Sequence, residues 1–222
     1  MIETNVKNLI SEIPESNAFG EKITLVAAVK LQPPENINRA IAAGITDIGD
    51  NHVQEFRDKY AMIAGNPRRH FIGHLQTNKV KYLIGKVDLY HSVDRENLAA
   101  ELSARSAAAG IVSDILLQIN IGEEASKGGF LYGEAENAYK AIKKLPALKI
   151  RGLMAMLPLS DDESVLKALA ARMRTLYDKL KAGDGNFEYL SMGMSGDWRL
   201  CVDAGSNMIR TGTNIFGKRN YN

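Results

Sequence analysis

The sequence contains one cysteine, Cys201, in 222 residues. An internal disulfide is therefore excluded, and the chain fits a reducing compartment such as the cytoplasm. No long apolar run is present, and Met1 to Gly20 mixes acids with apolar residues. A membrane span and a secretory leader are not expected. Charge of one sign is also missing: 28 Lys and Arg stand against 26 Asp and Glu, a formal +2. That balance gives no broad basic surface for nucleic acid, so any affinity for anions has to come from local sites. Metal-ligand spacing is absent as well. His70 and His74 are four apart, about 13 Å along a strand, His91 stands alone, and His52 is placed on the solvent side of a helix. Without repeats, low-complexity segments or linkers, the chain is expected to be one domain over residues 1–222.

What the sequence does have is alternation. Ile2, Val6, Leu9, Ile10 and Ile13 fall at helical spacing and predict an amphipathic opening helix packed on the outside. Short apolar runs then predict strands over 23–29, 46–50, 69–74, 87–92, 114–120, 149–156, 188–193 and 207–212. Helical patterns fall between them near 35–43, 52–63, 77–84, 94–109, 133–144, 162–181 and 197–204. Asp94 is the expected N-cap of the fourth of these, and Asp161 and Asp162 stand where negative charge favours a helix start. Strand–helix alternation implies parallel pairing through right-handed crossovers. Eight units predict a closed (β/α)₈ TIM barrel with an extra N-terminal helix, an open doubly wound sheet being the other candidate.

Functional residues of such barrels gather at the carboxyl ends of the strands. There the first strand ends in Lys30, a cation after an apolar run, stopped by Pro33-Pro34. The seventh ends in Gly193-Met194-Ser195-Gly196 and the eighth in Arg210-Thr211-Gly212-Thr213. Glycine and hydroxyl turns after strands seven and eight are the habitual phosphate site of this architecture. Barrel closure makes strands one and eight neighbours, roughly 4.8 Å apart. If Lys30 and Arg210 both face inward, an amine, a guanidinium and a phosphate cradle converge. A nearby guanidinium favours the neutral, nucleophilic form of an amine. A phosphorylated aldehyde suits that pocket, and pyridoxal phosphate is the obvious one. Cys201 has no partner for nucleophilic work and reads as packed, and Lys79 and Lys81 read as solvated.

Seven ordered segments carry a family resemblance: Ala28-Val-Lys30, Gly49-Asp-Asn-His-Val-Gln-Glu55, His70-Phe-Ile-Gly-His-Leu-Gln-Thr-Asn-Lys79, Asn120-Ile121 with Ser126-Lys127-Gly128-Gly129, Arg151-Gly-Leu-Met-Ala-Met156, Ser191-Met-Gly-Met-Ser195 and Ile209-Arg-Thr-Gly-Thr-Asn-Ile-Phe-Gly217. The chain resembles the pyridoxal phosphate homeostasis proteins, single-domain relatives of the alanine racemase barrel. The resemblance implies pyridoxal phosphate held on Lys30 as an internal aldimine. It also implies Arg210 beside the pyridine nitrogen, Asn51 near the ring, and Ser195, Gly212 and Thr213 on the phosphate. Met156 and Met194 complete the expected cofactor-binding set. Asp50 stands where the family commonly has glutamate, which keeps the charge and shortens the reach.

The implied role is cofactor homeostasis, with hand-over to apoenzymes that need pyridoxal phosphate. Racemases of this fold also use a tyrosine from a partner's second domain, and such a domain is not expected here. Little racemisation and a monomer are therefore expected. A low-activity amino-acid racemase, with His74 or His91 as the opposing base, is the alternative. A lyase or aldolase using the same lysine is a weaker one.

Overall fold

The structure, a computed structural model, describes residues 1–217; residues 218–222 of the expected domain lie outside the described residues. After helix α1 (Ile2–Glu12), the chain runs β1 (Thr24–Ala28), α2 (Pro34–Ala42), β2 (Asp47–Asp50), α3 (Val53–Lys59), β3 (Arg68–Phe71), β4 (Leu89–Val93), α4 (Glu96–Ala108) and β5 (Ser113–Asn120). It continues with β6 (Phe130–Leu131), α5 (Ala135–Ile142), β7 (Leu148–Ala155), α6 (Glu163–Lys181), β8 (Tyr189–Ser191), α7 (Trp198–Asp203), β9 (Met208–Thr211) and α8 (Thr213–Phe216). The sheet order is β4-β3-β2-β1-β9-β8-β7-β5, and β4 also pairs with β5, so the parallel sheet closes on itself. The fold is the expected TIM barrel, with α1 laid across α2 and α8.

β6 was not foreseen. It is two residues long and pairs with Ile119 and Asn120, beyond the point where β4 stops at Val93 opposite Leu117. Two residues are too short for an apolar period to show in sequence. The segment expected as a helix near 77–84 is a 3₁₀ turn over Thr77–Tyr82, with Val80 its one buried residue. Asp94 does not cap α4: the N-cap position is Arg95, and the Asp94 carboxylate pairs with Arg95 and His74 instead. Asp162 does cap α6, accepting from the Ser164 amide at 2.9 Å.

Apolar side chains fill both sides of the barrel wall. Val26, Leu89, Leu116, Met154 and Met208 pack together in the lumen. A larger layer, including Phe71, Leu98, Ile115 and Tyr177, packs between strands and helices. Gly152 allows β7 and β8 to meet: a Cβ there would lie 1.8 Å from the Tyr189 carbonyl oxygen, and its φ is +149°.

Candidate functional site

Lys30 follows directly on β1, one residue past Val29, whose amide donates to the Gly49 carbonyl at 3.0 Å. It is half-buried. The backbone around it is held from behind. Leu31, with φ +59°, donates its amide to Glu55 Oε2 at 2.8 Å. Lys59 Nζ donates to the Val29 carbonyl at 3.2 Å, the Gln32 carbonyl at 3.4 Å and Glu55 at 3.1 Å. Asp50 is buried 3.7 Å from the same ammonium, and loss of solvent pushes its carboxyl up to about 6 despite that neighbour. A peptide in the left-handed region needs such restraint.

Asn51 follows directly on β2, the strand that neighbours β1. Its Oδ1 is buried and has no donor among the described residues. On the other side of β1, Val26 pairs in register with Arg210 of β9. Since Val26 points into the lumen, so does Arg210. Nη1 of Arg210 donates to the Ser191 carbonyl at 2.9 Å and to the Ser191 hydroxyl, and Nη2 to the Ala155 carbonyl at 3.0 Å. The Nε–H and one N–H of Nη2 have no acceptor among the described residues. Full burial lowers the guanidinium to about 10, so it stays charged at neutral pH.

The turns after β8 and β9 touch. Thr211 donates its hydroxyl to Asn214 at 2.9 Å, and Ser195 Oγ lies 2.8 Å from Thr211 Oγ1. The amides of Ser195, Gly212 and Thr213 make no hydrogen bond among the described residues. Ser195 is half-buried, Gly212 buried, and Thr213 and Met194 exposed. Met156, just past β7, packs on the lumen cluster beside Met154. Lys30, Asn51, Met156, Met194, Ser195, Gly212 and Thr213 thus stand at strand ends around one mouth, with Arg210 deeper. Cys201 is buried in the core, which raises its thiol far above the usual range.

One part of the lumen was not anticipated. His91 is not alone: its Nε2 lies 2.8 Å from His70 Nδ1, and its Nδ1 lies 3.2 Å from Ser191 Oγ. His70 Nε2 in turn lies 2.9 Å from Asp47 Oδ1. All four residues are buried. The signal was present as polar residues at buried strand positions. Only the register shows that they meet.

The alanine racemase N-terminal domain family matches residues 13–220. A pyridoxal phosphate homeostasis protein of Aquifex aeolicus is 39% identical over 199 residues, covering 89% of this chain and 87% of that one. The chain belongs to the pyridoxal phosphate homeostasis proteins. The Escherichia coli K12 member of this family is 38% identical over 206 residues, covering 90% of this chain and 88% of its own. PipY of Synechococcus elongatus, solved with pyridoxal phosphate bound, is 32% identical with a TM-score of 0.86, covering 98% of this chain and 100% of PipY. The family accounts for the ordered motifs, and its barrel is the one described above.

Proposed function

We propose that this chain is a single-domain carrier of pyridoxal phosphate, held covalently by Lys30, which buffers the cofactor in the cytoplasm and passes it to apoenzymes. The observation that carries the reading is the register of Val26 with Arg210, which aims a charged donor into the lumen below Lys30. The surrounding groups fit the cofactor. Unused N–H groups of Arg210 would meet a ring nitrogen. The free amides of Ser195, Gly212 and Thr213, with the Ser195 hydroxyl, would hold a phosphate. Asn51 Oδ1, buried without a donor, would meet the ring's substituents. Met156 and Met194 flank the same mouth. The bound PipY structure, at 32% identity, supports the assignment.

When bound, the cofactor supplies an electrophilic carbonyl carbon and an electron-withdrawing ring. The chain does little to exploit that ring. A permanently charged guanidinium such as that of Arg210 would donate to the ring nitrogen and keep it unprotonated, which would weaken electron withdrawal. The two histidines considered as an opposing base are engaged elsewhere. His91 has both nitrogens bonded in the lumen, and His74 is held by Asp94 at 3.2 Å. The chain therefore holds its cofactor without efficient turnover.

The test is to load the purified protein with pyridoxal phosphate, record its visible absorbance, reduce with borohydride and map the modified lysine. Modification of Lys30 is expected, and Lys30→Ala removes it. Absorbance that survives in Lys30→Ala overturns the site. Alanine racemisation at roughly 1–10³ per second, the range of dedicated enzymes, overturns the carrier role.

A further inference from the structure

The polar groups in the lumen form one chain. Asp47 and Arg210 each pair in register with Val26, on opposite sides of β1. From Arg210 the contacts cross the barrel to Ser191 on β8, His91 on β4, His70 on β3 and Asp47 on β2. A charged donor thus stands at one end and a carboxylate at the other, with three neutral groups between them.

Each proton in this chain is assigned by its neighbours. Asp47 is ionised: burial opposes its charge, but bonds from His70 and from the Thr46 hydroxyl at 2.7 Å hold its carboxyl below the usual range. An ionised carboxylate only accepts, so His70 carries its proton on Nε2. Burial keeps His70 neutral, which leaves its Nδ1 bare. That nitrogen accepts from His91, so His91 carries its proton on Nε2. Burial, with the nearby positive charges, keeps His91 neutral too, and its Nδ1 is bare. Ser191 must then donate its hydroxyl hydrogen to His91, and its lone pairs are left facing Arg210. With Asp47 ionised and both imidazoles neutral, no other assignment satisfies every bond. In a buried polar network such consistency fixes one geometry.

We propose that Asp47, His70, His91 and Ser191 are positioning residues for Arg210: the proton order set by Asp47 commits the Ser191 hydroxyl hydrogen to His91 and turns its lone pairs to Arg210, which locks one edge of the guanidinium and leaves the other edge for the cofactor's ring nitrogen. The last clause rests on the cofactor reading above; the locking of Arg210 does not. A bonded edge costs the guanidinium its rotation before any ligand arrives, which is the meaning of preorganisation at a binding site. Asp47 acts through three intermediate bonds and touches nothing at the mouth.

Nitrogen-15 NMR of the cofactor-free protein near pH 7 tests the locking directly. Both His70 and His91 are expected as neutral Nε2–H tautomers, and the Arg210 Nη protons as separate, slowly exchanging signals. In Asp47→Asn the amide can donate as well as accept, so the His70 and His91 tautomers are expected to mix and the Arg210 signals to merge. Ser191→Ala, a small change that spares packing, is expected to merge them too. It is also expected to speed cofactor release about tenfold and to shift the bound cofactor's visible absorbance, in line with loss of one charge-assisted bond. A protonated imidazole or an Nδ1–H tautomer in the unmodified protein overturns the proposal. So do Arg210 signals unchanged in both variants. If the signals behave as expected but borohydride fails to mark Lys30, the cofactor reading fails and the locking of Arg210 stands.

Discussion

The Leu31 amide donates to the Glu55 carboxylate over 2.8 Å, and Glu55 in turn accepts from Lys59 at 3.1 Å. Two residues on α3 therefore hold the peptides on either side of Lys30, which leaves the amine as the mobile part of an otherwise fixed loop. This arrangement separates the side chain from its support: the Lys30 amine is left for the proposed cofactor, and α3 keeps the adjoining backbone in a conformation that leucine does not favour.

Lys59→Met is expected to destabilise the fold by about 2 kcal/mol, because two carbonyls and two carboxylates lose a shared donor in a confined site. It should also slow borohydride trapping at Lys30 by loosening the loop. Urea unfolding and the rate of trapping check the two parts. Leu31→Gly, which accepts φ +59° without strain, should leave trapping intact and stability equal or higher.

Asp50 gives a pH dependence of unusual sign. Its folded carboxyl sits at about 6, above the unfolded value of 3.8, chiefly because burial disfavours the charge. Between those values the native state binds more protons, so stability falls as pH rises. The loss begins near 4, is complete just above 6, and amounts to roughly 3 kcal/mol for a shift of this size. Asp50→Asn should abolish this component. Comparing the pH dependence of the melting temperature in the two proteins between about pH 4 and 7 measures it; a wild-type component that rises with pH contradicts it.

The barrel was legible because its strands are apolar runs and its loops carry glycine, proline and hydroxyl residues. Lys30, Ser195, Gly212 and Thr213 could be placed at one mouth because the carboxyl ends of barrel strands point to the same end whatever the detailed register. His91 was misjudged for the opposite reason. Its partner His70 is 21 residues away in sequence, and its contact with Ser191 spans 100. Only the stagger of closed strands brings those positions to one level. Lys59 was invisible for a related reason: on a helix surface it reads as solvated, and only the fold shows its ammonium turned inward onto β1 and β2.

Arg210→Lys should keep a positive charge and lose the geometry. A lysine ammonium cannot serve the Ser191 and Ala155 acceptors and the ring nitrogen at once. The expected result is a folded protein whose bound cofactor has a shifted visible absorbance and is released at least tenfold faster, an effect on the scale of one charge-assisted bond. Stopped-flow transfer to a scavenging apoenzyme reads the rate. Unchanged release would remove Arg210 from the cofactor's surroundings.

Gly152→Ala tests closure of the barrel apart from its site. The new Cβ would stand 1.8 Å from the Tyr189 carbonyl oxygen and 2.7 Å from its carbonyl carbon, both backbone atoms that cannot swing away. The φ of +149° adds strain for any residue with a side chain. β7 and β8 must separate, and Leu153 with Leu190 and Met154 with Ser191 lose their register. Because Ser191 is the acceptor for Arg210, the damage should reach the lumen as well as the wall. A loss above about 4 kcal/mol is expected, large enough to leave little folded protein at 37 °C. Circular dichroism melts and the yield of soluble protein check it, and a melting temperature within a few degrees of wild type would show that the strands can part at small cost.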